Sequence, residues 1–260
     1  MNPKLLTLYG PLEFNGYNTA IMIGIGVFLY YANRHPTRAQ YMSSSAFFNL
    51  IIESALAALL GGRVLHILSS LSDYPTLYAM ISLWDGGLSI LGGLLGVLLF
   101  SSWRLRQLGV PFAPVADIAA LYAPLVHSIA RIGCFIVGCC HGAPTDSIFG
   151  FTYTHPQALA PLNVPLHPSQ LYSSLVYACL FIALYLYAER SKPQAGVITL
   201  LYIMGMSLER FLIDFVRGDR ILVKSLPHLS FYQLVAAALF IGALSIMIVR
   251  QRAPTTYESL

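Results

Sequence analysis

Read for the alternation of apolar and polar positions, the chain divides into long apolar runs separated by short polar connections. Seven runs stand out, near residues 14–33, 46–71, 86–103, 113–135, 168–188, 196–216 and 229–250. Each is close to the about 20 mainly apolar residues that carry an α-helix across a hydrocarbon core. A bilayer offers no hydrogen-bond partner to bare backbone, so such runs are expected to be helical. The pattern predicts an all-α, polytopic membrane protein with about seven transmembrane helices in one integral membrane domain, residues 1–260. Residues 1–15 are mixed in character and Thr19–Tyr31 is embedded in the first run, so that run is expected to remain as a span and not to act as a removable signal.

Composition strengthens this reading. Hydrophobic residues make up 57% of the chain and charged ones only 10%, with a mean hydropathy of +0.67, far from an ordinary soluble domain. Basic residues cluster in alternate connections, at Arg34 and Arg38, Arg104 and Arg106, Arg190 and Lys192, and Arg250 and Arg252. The intervening stretches Ser72–Asp85 and Ile136–His167 contain no Lys or Arg. The positive-inside bias then puts the N-terminus outside and the C-terminus in the cytoplasm. The net charge of +4 is largely this bias and does not point to nucleic acid.

Against that background the buried cations are the informative residues. Arg63, Arg131 and Arg210 lie inside apolar runs, and Arg217 closes one. A guanidinium at membrane depth is expensive and normally faces a partner, a cavity or a substrate. The outward connection Arg217-Gly218-Asp219-Arg220, followed by Lys224, also breaks the charge rule. Anion binding accounts for both, whereas simple neutralisation by Asp219 accounts only for the second.

Four segments carry candidate chemistry. In the first, from His127 to Gly142, His127, Arg131 and Cys134 fall at i, i+4 and i+7, so imidazole, guanidinium and thiol share a helix face. In the second, Trp84 to Gly96, Gly86, Gly87, Gly92 and Gly93 leave backbone bare, either for close helix packing or for amides that meet a phosphate or glycerol group. The third, Leu166 to Tyr172, opens a helix with Pro168 and supplies His167, Gln170 and Tyr172, as an N-terminal cap or as polar lining. In the fourth, Arg210, Asp214 and Arg217 at i, i+4 and i+7 put one carboxylate between two guanidiniums, leaving a spare fork suited to phosphate.

Three of the four cysteines, Cys134, Cys139 and Cys140, fall within seven residues. Small packing thiols, a disulfide from Cys134 to Cys139 or Cys140, reactive thiols and a metal site are all open. Zinc is disfavoured by adjacency, because neighbouring residues rarely ligate one ion at tetrahedral angles. No metal or cofactor is therefore expected. Cys179 stands alone and reads as packing.

Together, Asn15-Gly16-Tyr17, Gly61-Gly62-Arg63, the Trp84–Gly96 segment, Arg131-Ile132-Gly133 with Phe135, Gly138 and Gly142, His167–Tyr172, and Arg210-Phe211 through Arg217 resemble the prolipoprotein diacylglyceryl transferase family of bacterial inner membranes. The resemblance implies seven spanning helices, an external N-terminus, a lipid-filled cavity and transfer of a diacylglyceryl group from phosphatidylglycerol, or a related anionic phospholipid, to the thiol of a prolipoprotein lipobox. It implies that Arg131 and Arg217 hold the phosphate. Tyr17, Gly86, Gly87, Gly92, Gly93 and Gly138 would line the head group site with His167, Gln170, Tyr172, Arg210 and Asp214. Arg63 would be an inner-cavity or packing residue.

The chain also departs from the family pattern. Leu91 stands where the family usually has a histidine, Cys134 and Val137 stand at asparagine positions, Cys139 replaces a glutamate, and the acid of the last motif is Asp214. His127, beside Arg131 and so expected to titrate low, and His141 are the two candidate replacement bases. Cys134 and Cys139 join them as candidate catalytic groups. With these departures the acceptor is either the lipobox thiol or another group, and competing readings are an inactive lipid-binding paralogue, favoured by Leu91, a thiol redox protein, and a transporter, which the lack of an evident internal repeat disfavours.

Overall fold

The computed structural model describes residues 4–7, 13–71, 74, 76–82, 86–223 and 226–252. Trp84, Asp85 and Lys224 lie outside the described residues. The apolar runs become α1 (Gly16–Arg34), α3 (Ser44–Ser69), α5 (Ile90–Gln107), α6 (Phe112–Val137), α7 (Ser169–Ser191), α8 (Val197–Ile213) and α9 (Phe231–Arg252). Short helices α2 (Pro36–Tyr41) and α4 (Leu77–Ile81) lie in the first two connections of unlike length. Three two-stranded antiparallel pairs decorate helix ends: β1 (Lys4–Thr7) with β2 (Glu13–Asn15), β3 (Phe151–Thr152) with β4 (Pro165–Leu166), and β5 (Leu222–Val223) with β6 (Leu226–Ser230).

Among the described residues four helices, α3, α6, α7 and α9 as far as Gln251, are long and apolar enough to cross a membrane. The other three of the expected seven are shorter, with 19, 18 and 17 residues in α1, α5 and α8. Two boundaries differ from the hydropathy reading for local reasons. Gly86 and Gly87 have φ of 80° and 78°, outside helical space, so α5 starts only at Ile90, where Ser89 accepts from the Gly92 amide. Helix α8 tightens into a 3-10 turn over Asp214–Val216, which releases Arg217 into extended backbone.

The chain divides into two compact units, residues 33–115 and residues 1–32 with 116–260. In the first unit α3 and α5 touch backbone to backbone. A Cβ at Gly61 would strike the Gly92 carbonyl, one at Gly92 the Gly61 carbonyl, and one at Gly96 the Ala57 carbonyl. Such contact is how apolar helices associate where lipid removes the hydrophobic driving force. Arg104 Nε reaches Glu53 Oε2 at 2.9 Å near the other end of α5.

Arg63, 5% exposed, is absorbed within this unit. Its Nε donates to the Met80 carbonyl at 2.9 Å, its NH2 to Ser82 at 2.8 Å, and its NH1 to the carbonyls of Gly86 and Gly87. Tyr74 stacks beneath it, 4.9 Å from the ring centroid. A guanidinium saturated by carbonyls has no fork left for phosphate. Of the buried arginines considered for an anion, Arg63 is a loop clamp.

The second unit is held by polar contacts between apolar helices. Ser128 and Ser174 exchange hydrogen bonds with each other's carbonyls at 2.9 Å, joining α6 to α7. Asp117 of α6 accepts from the amides of Gly196 and Thr199, capping α8, which has no side-chain cap of its own. Gln233 of α9 donates to the Phe211 carbonyl at 3.1 Å.

Candidate active site

Helix α6 ends in the thiol-bearing turn. Gly138 adopts φ of 84° and returns its amide to the Cys134 carbonyl at 2.9 Å, a left-handed C-terminal cap. Tyr153 donates to a second carbonyl of that last turn, Phe135, at 2.9 Å. Phe135, Tyr153, Ala160 and Leu166 form a small core over the turn, with Phe151 against it. Burial pushes the Tyr153 phenol up to about 12.

Three chain segments are then laced together by backbone. The Gly142 amide donates to His167, His167 to Ala143, Ala143 to Val216, and Gly218 to His141, at 2.8 to 3.1 Å. Gly142 is obligatory here, since a Cβ would press on His167 at 2.5 Å and on the Val216 carbonyl at 2.9 Å. The lacing sets Arg217 beside Cys140. Gln170, 1% exposed, donates to the Cys139 carbonyl at 2.8 Å, and Ser169 donates to that of Cys140 at 2.9 Å. The expected lining residue Gln170 is thus first a support for the turn, although its Oε1 is buried without a partner.

Cys134, Cys139 and Cys140 are free, and their sulfur atoms lie within 4.8 Å of one another. Hydrogen bonds from Cys134 and Cys139, and then Arg217, draw the Cys140 thiol below its ordinary range. The same two-way bonding to Cys134 and Cys140, with burial, pushes Cys139 up. Tyr17 at the start of α1 shares an electrostatic neighbourhood with all three thiols and Arg131. It is carried there by Gly133, where α6 meets the Gly16 carbonyl and Tyr17 Cα at 3.1 Å from an added Cβ.

The charges are arranged differently from the expected stripe. Because the helix breaks at Asp214, that carboxylate does not lie between Arg210 and Arg217. It contacts Arg210 at 3.2 Å and Arg220 at 3.6 Å, buried to 1% exposure. Arg217 instead takes Asp219, Nε to Oδ1 at 2.7 Å and NH2 to Oδ2 at 2.5 Å. Burial works against the Arg217 charge, but Asp219 and the Cys140 thiol hold it firmly cationic, and Arg217 in turn keeps the Asp219 carboxyl below its usual range. Arg210 also stacks on Tyr232 at 4.5 Å.

Arg131 is the exception. Arg210, Arg217 and Arg220 each have a carboxylate in contact, whereas Arg131 has none within ion-pair distance among the described residues. Its charge neighbours are Glu209, Tyr177, Cys134 and Cys140. Glu209 is itself engaged, accepting from Ser173 Oγ at 2.5 Å and Tyr177 OH at 2.9 Å. Arg210 is in repulsive range of both Arg131 and Arg217. The site therefore offers one open fork and one anchored guanidinium, flanked by thiols.

His127 packs edge-on to Tyr177 at 4.9 Å, one helical turn from Arg131. His167 Nδ1 sits 3.5 Å from Tyr172 OH. His141 turns to the Gly142 carbonyl at 3.0 Å. Gly86, Gly87, Gly92 and Gly93 belong to the other unit, where a Cβ on Gly87 would meet His66 and Tyr74 at 2.7 Å and Gly92 packs on α3. Sequence reasoning passed over Glu209, Ser173, Tyr177 and Tyr153, and gave Asp219 only the part of neutralising its loop. Only Glu209 carried a usable signal, as a carboxylate inside an apolar run.

Comparison with known proteins bears on this arrangement. The family described as prolipoprotein diacylglyceryl transferase matches residues 3–249. A phosphatidylglycerol–prolipoprotein diacylglyceryl transferase of Legionella pneumophila (strain Corby) is 33% identical, over 80% of this chain and 81% of its own. The protein of that name from Bordetella avium is 30% identical over 96% and 95%, and one from Clostridium tetani 27% identical over 84% and 86%.

Proposed function

This chain belongs to the prolipoprotein diacylglyceryl transferase family, and from that premise we propose that it moves the diacylglyceryl group of phosphatidylglycerol to the thiol of a prolipoprotein, releasing glycerol phosphate. The observation that carries the site assignment is the Arg131 guanidinium, half-buried without a bonded carboxylate and sharing Cys140 as an electrostatic neighbour with Arg217. An unsatisfied fork in an apolar setting selects a phosphate, which it can bind by two parallel charge-assisted hydrogen bonds.

Arg217 supplies the second contact, its position set by Asp219 and by the backbone lacing to residues 141–143. As the acceptor sulfur attacks the glyceryl carbon, the carbon–oxygen bond breaks and charge grows on the departing phosphate. Fixed guanidiniums stabilise that charge without reorganising. Tyr17 at the start of α1 neighbours Arg131 and the three thiols, and His127 lies one helical turn from Arg131 on α6. The alternate basic connections support an orientation with the N-terminus outside and the C-terminus in the cytoplasm, which would turn the site towards the outer face of a bacterial inner membrane.

The test follows glycerol phosphate release from phosphatidylglycerol micelles with and without a lipobox peptide. Release that depends on the peptide cysteine is the expected result. Release without peptide would assign another acceptor, and none beside an active relative would overturn the reading.

A further inference from the structure

Adjacent residues do not ordinarily aim their side chains at one point, yet Cys139 and Cys140 both converge on Cys134. They do so because the backbone is left-handed at Gly138, φ 84°, and again at Cys140, φ 57°. Glycine adopts that conformation freely, but for cysteine it costs on the order of 1 kcal/mol and persists only where the surroundings impose it. Ser169 and Gln170 impose it here by gripping the two carbonyls of the turn. The objection to a metal drawn from adjacency therefore does not apply to this turn.

We propose that Cys134, Cys139 and Cys140 form a zinc site with three thiolate ligands and an open fourth position, and that this position receives the acceptor thiol. The inference rests on the transferase reading for its second half only. Three protein ligands with one vacant position are the arrangement of catalytic zinc, and thiolates suit a soft ion. Zinc–sulfur bonds of about 2.3 Å put tetrahedral sulfurs about 3.8 Å apart. The sulfurs already lie within 4.8 Å, so rotation of the thiols closes the gap. His141 does not compete for the fourth position, since it turns to the Gly142 carbonyl and packs on Gly218.

Charge favours the same assignment. Zinc with three thiolates carries one negative charge, in the neighbourhood of the Arg131 and Arg217 guanidiniums that adjoin Cys140. In the reaction the acceptor S–H releases its proton to water as sulfur binds zinc. The sulfur lone pair then forms the bond to the glyceryl carbon, and the carbon–oxygen pair leaves with glycerol phosphate. Zinc keeps its oxidation state, and it performs the deprotonation for which Leu91 provides no base.

The test is cobalt(II) titration of the reduced, metal-free protein in detergent. A sulfur-to-cobalt charge-transfer band saturating at one ion per chain and displaced by zinc is expected. It should disappear in Cys134→Ser and Cys139→Ser, and its visible bands should shift on adding a lipobox peptide but not the peptide with serine in place of cysteine. Should those variants fail to fold, alkylation of the wild-type protein decides the matter, because zinc should protect Cys134, Cys139 and Cys140, which react once the metal is chelated. Zinc removal should slow transfer about 100-fold, the scale of a lost deprotonation step. No thiolate band, no protection, or a disulfide in the active enzyme would overturn the zinc site. Transfer undiminished without metal would overturn it while leaving the transferase standing. A zinc-thiolate site that binds peptide without any transfer would instead overturn the transferase reading.

Discussion

Replacing Arg131 by Lys separates function from folding more cleanly than any other change. The native guanidinium has no carboxylate in ion-pair contact among the described residues, so a lysine keeps the charge near Glu209 and forfeits no internal salt bridge. Stability should fall by about 1 kcal/mol, the ordinary size for a single substitution, or roughly 2 to 4 °C in melting temperature for a chain of this size. What is lost is one arm of a bidentate contact to phosphate. A charge-assisted hydrogen bond is worth about 1.5 to 3 kcal/mol, which at about 1.4 kcal/mol per decade lowers kcat/KM roughly 10- to 100-fold. The assay is glycerol phosphate release with the lipobox peptide, alongside thermal unfolding in the same detergent. Near-native kcat/KM, or a loss of activity matched by an equal loss of folded protein, would refute the argument. Arg63→Lys is the internal contrast, since its guanidinium serves the carbonyls of Met80, Ser82, Gly86 and Gly87. Leaving such carbonyls unpaired costs about 1 to 3 kcal/mol each, so this variant should melt several degrees lower.

Other consequences concern the scaffold. Tyr153→Phe removes the hydroxyl that satisfies the buried Phe135 carbonyl, and should destabilise the protein by about 1 to 3 kcal/mol in denaturant or thermal unfolding. Asp117→Ala uncaps α8 and should cost about 0.5 to 2 kcal/mol, while Asp117→Asn, which can still accept, should recover part of it. Asp219, whose carboxyl Arg217 holds below the ordinary value of 3.8, stabilises the fold above that value and loses its contribution as pH falls through the lower folded value. The melting-temperature gap between wild type and Asp219→Asn should thus be present at neutral pH and close below about pH 4. A gap that widens on acidification would contradict the Arg217–Asp219 pairing.

Much of this protein was legible in one dimension because membrane solvation acts on local composition. Apolar length alone located the seven long helices of the described residues, four of them long and apolar enough to span a membrane, since backbone in lipid must bond within its own segment. The placement of Lys and Arg predicted an orientation, and the motif order led to the family whose model matches residues 3–249. The errors were local too. Extending helical spacing through Asp214 placed it between Arg210 and Arg217, but a 3-10 turn intervenes and the carboxylate goes to Arg210 and Arg220.

Which arginine remains open was decided only in three dimensions. Arg63 and Arg131 look equivalent as buried cations in apolar runs. Folding brings carbonyls from a connection about 20 residues away onto Arg63, while the acids near Arg131 are committed to Ser173, Tyr177 and other arginines. The thiols differ in the same way. Sequence shows three cysteines close together, but their convergence depends on two left-handed residues and on carbonyl grips from Ser169 and Gln170 of a distant helix. Hydrophobic length is a sum over neighbours in the chain and can be read from them. The vacancy of a hydrogen-bond fork, or the meeting of three sulfurs, depends on which distant groups arrive there, and only tertiary packing sets that.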